Sequence, residues 1–207
     1  MCITQSASLK RLDRGASLVE VVIVMLLMTL ILGATHTFLS NGVFFYQNTV
    51  QSLEVQQQAL VGLTLMASEM ENSNLDKIVL DGDAVIFPSV IAGDGTRVTT
   101  ENGNQLWQSF VCFLPATVNG TDLLVRKHDP IDPGVAFPPS PNNPPDGTLR
   151  DLAYFQSAPS SSILARYLNS LVATKSTDAI TLELTINFSA TRTSDRMTIQ
   201  TEVYPKN

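Results

Sequence analysis

Glu20 is the residue of this sequence whose chemistry most needs a partner. It is the one charge in an apolar run from Ala16 to Ala34 that reads ASLVEVVIVMLLMTLILGA. On insertion scales a carboxylate costs about 2.5–3.5 kcal/mol at the centre of a spanning helix, and less near its end. Such a group calls for a cation, and nothing else in the run is charged. The cation must come from another chain, or from a new amino terminus made by cleavage.

Elsewhere the residue types that carry chemistry are thinly spread. His36 and His128 are the only histidines, too few and too far apart for a zinc site or a histidine-based triad. No G-x-S-x-G, H-E-x-x-H or phosphate-loop pattern occurs. Ser160-Ser161-Ser162 reads as a flexible turn. The acidic turns Asp81-Gly82-Asp83 and Asp94-Gly95 raise the question of calcium. Turn chemistry accounts for them, since a calcium site takes about six or more oxygens. Arg126-Lys127-His128 reads as a solvated strand end rather than a DNA site, and Cys112 as a small buried hydrophobe. The expectation is a protein without catalytic residues, without a cofactor or metal, and without a nucleic-acid partner.

Composition narrows the classes further. The chain has 207 residues, 44% hydrophobic and 15% charged, with a formal net charge of −6. A disordered chain would be poorer in apolar residues and richer in charge. Only one apolar run is long enough to span a bilayer, which excludes a polytopic membrane protein. Two cysteines cannot build a disulfide scaffold. Nucleic-acid binding through a general positive field needs clustered Lys and Arg, and the balance here is acidic. Residues 1–15 run against that balance, with Lys10, Arg11 and Arg14 facing Asp13 alone. A basic head, an apolar run and an acidic body predict a single-pass protein whose N-terminus stays in the cytoplasm.

The elements that position these groups follow from the pattern. The apolar run is 19 residues, roughly 28 Å as a helix, close to the hydrocarbon thickness. An ordinary signal anchor would have the same length; a cleaved secretory signal is disfavoured because no A-x-A site follows directly. No proline interrupts residues 17–73, which predicts one helix of roughly 85 Å ending near Asn72-Ser73-Asn74. Its second half reads as amphipathic. Tyr46, Val50, Leu53, Leu60, Leu63, Ala67 and Met70 form the stripe expected to pack on the chain's own domain. Gln57 interrupts that stripe, and Gln47, Gln51, Glu54, Gln58 and Glu69 fall opposite.

Residues 75–207 read as antiparallel strands with one wet face. A D-G turn joins residues 77–80 to 84–87. A strong strand over 105–114 turns at Asn119-Gly120 toward 123–126, and strands 180–188 and 197–203 pair across residues 191–196. Residues 160–173 could be a short helix, or a strand with a loop. Seven of the eleven prolines fall in 129–147, which predicts a long surface loop, partly extended, read as a spacer in preference to a contact loop for a partner.

Arg14-Gly15-Ala16-Ser17-Leu18-Val19-Glu20, followed by VVIVMLLMTLILGA, resembles the class III leader of type IV pilins and pseudopilins. The resemblance implies cleavage after Gly15 by a prepilin peptidase and methylation of the new amine on Ala16, where the family usually has Phe. It places Glu20 at the fifth mature position, where it is expected to pair with a neighbouring subunit's amine during assembly. The leader motif covers about a tenth of the chain and is specific.

A second, weaker likeness lies further on. The strand Leu106-Trp107-Gln108, the Leu124-Val125-Arg126-Lys127 strand, the proline-rich loop and the ending Gln200-Thr201-Glu202-Val203-Tyr204 are similar to J-type minor pseudopilins of type II secretion and W-type minor pilins. Major pilins often carry a proline where this chain has Thr37, and often close a C-terminal disulfide. After cleavage Cys112 would be the only cysteine, so both absences favour a minor subunit.

The fold these readings imply is α+β. It comprises a leader at 1–15, a long N-terminal helix at 16–74 (membrane-spanning over 16–34) and a β-rich periplasmic domain at 75–207. The function implied is that of a structural subunit in the bacterial inner membrane. It would prime or tip a type II secretion pseudopilus or a type IV pilus, with other minor and major pilins, the peptidase and the inner-membrane assembly platform as partners. The same architecture would serve a DNA-uptake or adhesion pilus. A membrane-tethered periplasmic enzyme or ligand-binding domain is the alternative of another class.

Overall fold

The computed structural model describes residues 17–92, 95–101, 103–158, 161–190 and 193–205. The fold is α+β. Helix α1 runs from Leu18 to Glu71, 54 residues. A single 3-10 turn at Leu75–Lys77 follows, capped by the Asn74 side chain. Strands β1 (Val79–Asp81), β2 (Ala84–Ser89), β3 (Trp107–Val118) and β4 (Thr121–Val135) come next. After them stand a short helix α2 (Leu152–Ser157) and strands β5 (Ser161–Arg166), β6 (Leu168–Lys175), β7 (Ile180–Ala190) and β8 (Thr193–Val203). All pairings between named strands are antiparallel, in a five-stranded sheet ordered β1-β2-β3-β4-β5 and a three-stranded sheet ordered β6-β7-β8.

Two compact units divide α1. Residues up to Asn48 form the first and Thr49–Asn207 the second. In the first unit every described residue except Asn48 is exposed, and the helix is long and apolar enough to cross a membrane.

The second unit is built on a sheet buried on both faces at its centre. Val85, Phe87, Val111, Phe113 and Leu124 face one cluster with Val55, Ala59, Leu63, Met66 and Met70 of α1. Leu171, Leu182, Leu184 and Ile186 of the second sheet complete that cluster, and Phe87 stacks on Phe113 with centroids 5.8 Å apart. On the other face Ala84, Ile86, Phe110, Cys112 and Leu114 pack against Phe155 of α2. That is why β2 is buried at every position instead of alternating. The expectation of one wet face holds only in part for β7: Leu182, Leu184 and Ile186 are buried and Thr181, Glu183 and Asn187 half-buried, but Thr185 on the polar row is buried too, its hydroxyl 3.1 Å from that of Thr198.

The hairpin expected at Asn119-Gly120 is a two-residue turn with both φ angles positive, 52° and 76°, joining Val118 to Thr121. Primed turns need that geometry because it matches the strand twist. Residues 160–173 resolve as strands from Ser161 onward, so the serine run is strand rather than turn over Ser161 and Ser162. Ser160 lies outside the described residues. Tyr167, at φ 59°, separates β5 from β6, and Asn187 N–H donates to its carbonyl at 2.9 Å.

The proline-dense stretch differs from the expected loop. β4 continues through it to Val135. Pro130 and Pro133 fall where β4 pairs with β3 only, because β5 covers no further than Lys127. A proline lacks an N–H, and an edge position does not need one. Beyond β4, Pro139, Pro141 and Pro144 are buried. The segment is packed structure and not a spacer.

The helix also packs with a different stripe from the one expected. Leu63 and Met70 are buried, but Tyr46, Val50, Leu53 and Leu60 are exposed. The buried positions are Val55, Ala59, Gly62, Leu63, Met66, Glu69 and Met70. The helix is apolar on two sides here, so spacing alone could not say which side meets the sheet. Glu69, expected on the polar face, is on the packed one.

Candidate functional site

The residues expected to carry processing and assembly are Gly15, Ala16 and Glu20. Gly15 and Ala16 lie outside the described residues. Glu20 stands in the first turn of α1, and its Oε2 accepts a hydrogen bond from the Ser17 backbone N–H at 3.2 Å. Ser17-Leu18-Val19-Glu20 thus adopts half of a capping box, in which a Glu at the third helical position satisfies the donor at the helix start. The signal S-x-x-E was present in the sequence and went unread. Among the described residues Glu20 is in no ion pair.

Within the second unit, α1 presents two faces. One is the packed stripe given above. Diametrically opposite lie Val50, Leu53, Leu60, Val61 and Leu65, each between 36% and 66% exposed. At 100° per residue these five fall within one sector of the helix. Gln57, Thr64 and the exposed Glu54, Ser68 and Glu71 sit among them, with Thr64 Oγ1 donating a hydrogen bond to the Leu60 carbonyl at 2.7 Å. These large apolar side chains are exposed in a row along the helix.

Charged groups in this unit hold elements together. Arg126 of β4 donates from Nε to both carboxylate oxygens of Glu69, at 2.9 and 3.2 Å. Burial pushes the Glu69 carboxyl up, against the pull of the Arg126 guanidinium. Lys127 is buried and donates from Nζ to the carbonyls of Gln156 and Ala158, at 3.1 and 2.8 Å, at the end of α2. A cation there answers the helix's last unsatisfied carbonyls. His128 is half-buried, and burial with Arg126 beside it lowers its pKa. The expected solvated basic end is therefore a set of structural contacts, because β4 runs on past it and α2 and α1 pack against it.

Arg150 is the residue that sequence reading missed altogether. Its Nε donates to Asp129 Oδ2 at 2.9 Å, and its Nη1 to the Thr148 carbonyl at 2.5 Å and to Asp146. Its guanidinium carbon lies 5.5 Å from the Phe110 ring centre and 5.0 Å from that of Tyr154. The Arg150 N–H also donates to the Pro141 carbonyl. One side chain thereby fastens the proline-rich segment to the sheet. Two of its partners are local, 4 and 2 residues away, but Asp129, which ties it to β4, is 21 residues away.

Asp81-Gly82-Asp83 makes the turn from β1 into β2. Asp81 Oδ2 accepts from the Leu152 N–H at 3.0 Å, at the start of α2, while Asp83 is exposed and Asp94 lies outside the described residues. Among the described residues no three His, Cys, Asp or Glu side chains gather as a metal-binding group would require. Cys112 is buried, and burial pushes its thiol up to about 12, which removes it from nucleophilic chemistry.

A long apolar N-terminal helix whose C-terminal part is laid on antiparallel sheets defines a pilin-like architecture. No family model, no curated protein and no solved structure matches the chain.

Proposed function

We propose that this chain is a membrane-anchored minor pilin or pseudopilin, a structural and non-catalytic subunit that primes or tips a filament of the type II secretion or type IV pilus kind. The observation that carries the reading is the second apolar face of α1, turned away from the domain that the first face holds. A helix that serves only to anchor and to close its own core has no use for Val50, Leu53, Leu60 and Val61 on its outside. Helices of neighbouring subunits would cover that face. In this reading a peptidase cuts between Gly15 and Ala16, the body lies in the periplasm, and Glu20 meets the amine of a neighbour in low dielectric.

The capping contact shapes the test. Glu20→Gln keeps the S-x-x-Q form of the capping box and removes the charge, whereas Glu20→Ala removes both. Both variants should insert and be processed to an N-terminus at Ala16, and both should be depleted from sheared filaments or from crosslinks to partner subunits. Gly15→Val should accumulate as the uncut precursor. Full incorporation of processed Glu20→Gln with loss of Glu20→Ala would reduce Glu20 to a cap and remove the pairing role.

A further inference from the structure

The two sheets of the second unit have four edge strands, and three of them are closed in recognisable ways. β1 is three residues long. β5 is six residues, with an irregular register against β4 and a positive-φ Tyr167 at its end. β6 lies against β3 and β4 of the other sheet. β8 differs from all of these. It is eleven residues long, without proline or a register break along its pairing to β7. Among the described residues no strand pairs with its outer edge. A long regular edge is a template for another strand.

The side chains of β8 say which strand fits. Arg196, Thr198, Gln200 and Glu202 are exposed on the outer face. Met197 and Ile199 are half-buried on the inner face against the core. If an identical β8 is laid antiparallel, with a two-fold axis at Ile199, Arg196 of each copy falls opposite Glu202 of the other. Thr198 then meets Gln200, Ile199 meets Ile199, and Met197 meets Thr201. A slip of one residue would set the inner row against the outer row. A slip of two would part Arg196 from Glu202. Over residues 196–202 one register therefore satisfies polarity and charge together.

We propose that β8 pairs with β8 of a second copy of this chain, joining two three-stranded sheets into one six-stranded sheet through an isologous contact. The contact has twofold symmetry, as self-complementary dimer surfaces do. Two Arg–Glu pairs flank it on the outer face, and the Met197–Ile199 row becomes continuous on the inner face. Neither the edge nor its pairing rests on the filament reading.

The test uses the full-length chain in cell membranes, in a Cys2→Ser background, with two differently tagged copies. One carries Thr198→Cys and the other Gln200→Cys. These positions face each other across the proposed pair at about 4.5–5.5 Å, within disulfide reach. Either variant alone places its cysteines on a diagonal of about 7–8 Å, outside that reach. Oxidation should link the mixed copies and leave the single variants unlinked. Arg196→Glu or Glu202→Arg should each lower the linked fraction on the order of tenfold, since like charges then face each other twice. Combining Arg196→Glu with Glu202→Arg should restore it. Absence of the mixed link overturns the proposal. So does a link indifferent to both charge reversals, and so does a disulfide from Cys-substituted β8 to a different protein with none between copies.

Discussion

The two sides of α1 between residues 50 and 70 differ in what they meet, though both are apolar. On the packed side Ala59, Met66 and Met70 are fully buried, and even the one carboxylate, Glu69, has its cation at 2.9 Å. On the outer side Leu53 and Val61 keep half or more of their surface exposed, with Gln57 and Thr64 between them. The packed side is satisfied by its own chain. Among the described residues, the outer side is left exposed by its own chain. One helix thus carries a folding surface and, in the proposed function, a docking surface back to back, and substitutions should separate the two.

The largest effect on stability belongs to the packed side. Met66→Ala removes a fully buried side chain and should cost about 2–5 kcal/mol. The readout is resistance to proteolysis across a urea series in detergent. Arg126→Met should come next, at about 1.5–3 kcal/mol, because it takes a charged hydrogen-bond partner from Glu69.

The same pair gives a pH signature. The folded Glu69 carboxyl sits above its ordinary value of 4.5, so the folded state binds this proton more tightly than the unfolded chain. Its contribution to stability therefore falls as pH rises from about 4.5 through the raised value, and Glu69→Gln should flatten that slope. Asp146 runs the other way. Its contact with Arg150 holds it down to about 2, from an ordinary 3.8. Its contribution is present above 3.8 and lost as pH falls toward 2, a loss that Asp146→Asn should remove.

Gly62→Ala sharpens the comparison with a smaller gain. An added Cβ would meet Leu164 Cβ at 3.4 Å and a Leu124 methyl at 3.5 Å, which are ordinary contacts. Replacing a glycine inside a helix should stabilise by about 0.5–1 kcal/mol. A loss of stability there would mean that the packed side has no room to give.

How far the sequence reached depended on whether a signal was local. The helix was legible because no proline interrupts it, and its ends fell within three residues of expectation. Asn119-Gly120 and Asp81-Gly82 were legible because tight turns select residues by backbone angle. The face of α1 was not, since two apolar stripes compete and only the sheet's own apolar rows decide between them. The extent of β4 was not legible, because its prolines lie on the stretch that β5 does not cover, and where a neighbouring strand stops is a tertiary fact. Helix α2, six residues long, was missed because fewer than two turns leave no apolar period to read. Of the candidate site, Glu20 was found through its burden of charge. Its cap to Ser17, the Glu69–Arg126 pair and the Arg150 fastening were not; the Glu69–Arg126 and Arg150–Asp129 contacts join residues made neighbours by the fold.

The smallest expected effect on stability falls on the outer side, and it carries the central claim. Leu53→Gln with Leu60→Gln alters two exposed positions and should move stability by less than about 0.5 kcal/mol. The measurement is the fraction of processed chain recovered with sheared filaments, beside its urea resistance in membranes. The account predicts unchanged resistance and loss of the chain from the filament fraction. Wild-type recovery of a fully folded double variant would contradict it, because the outer face would then have no partner in assembly.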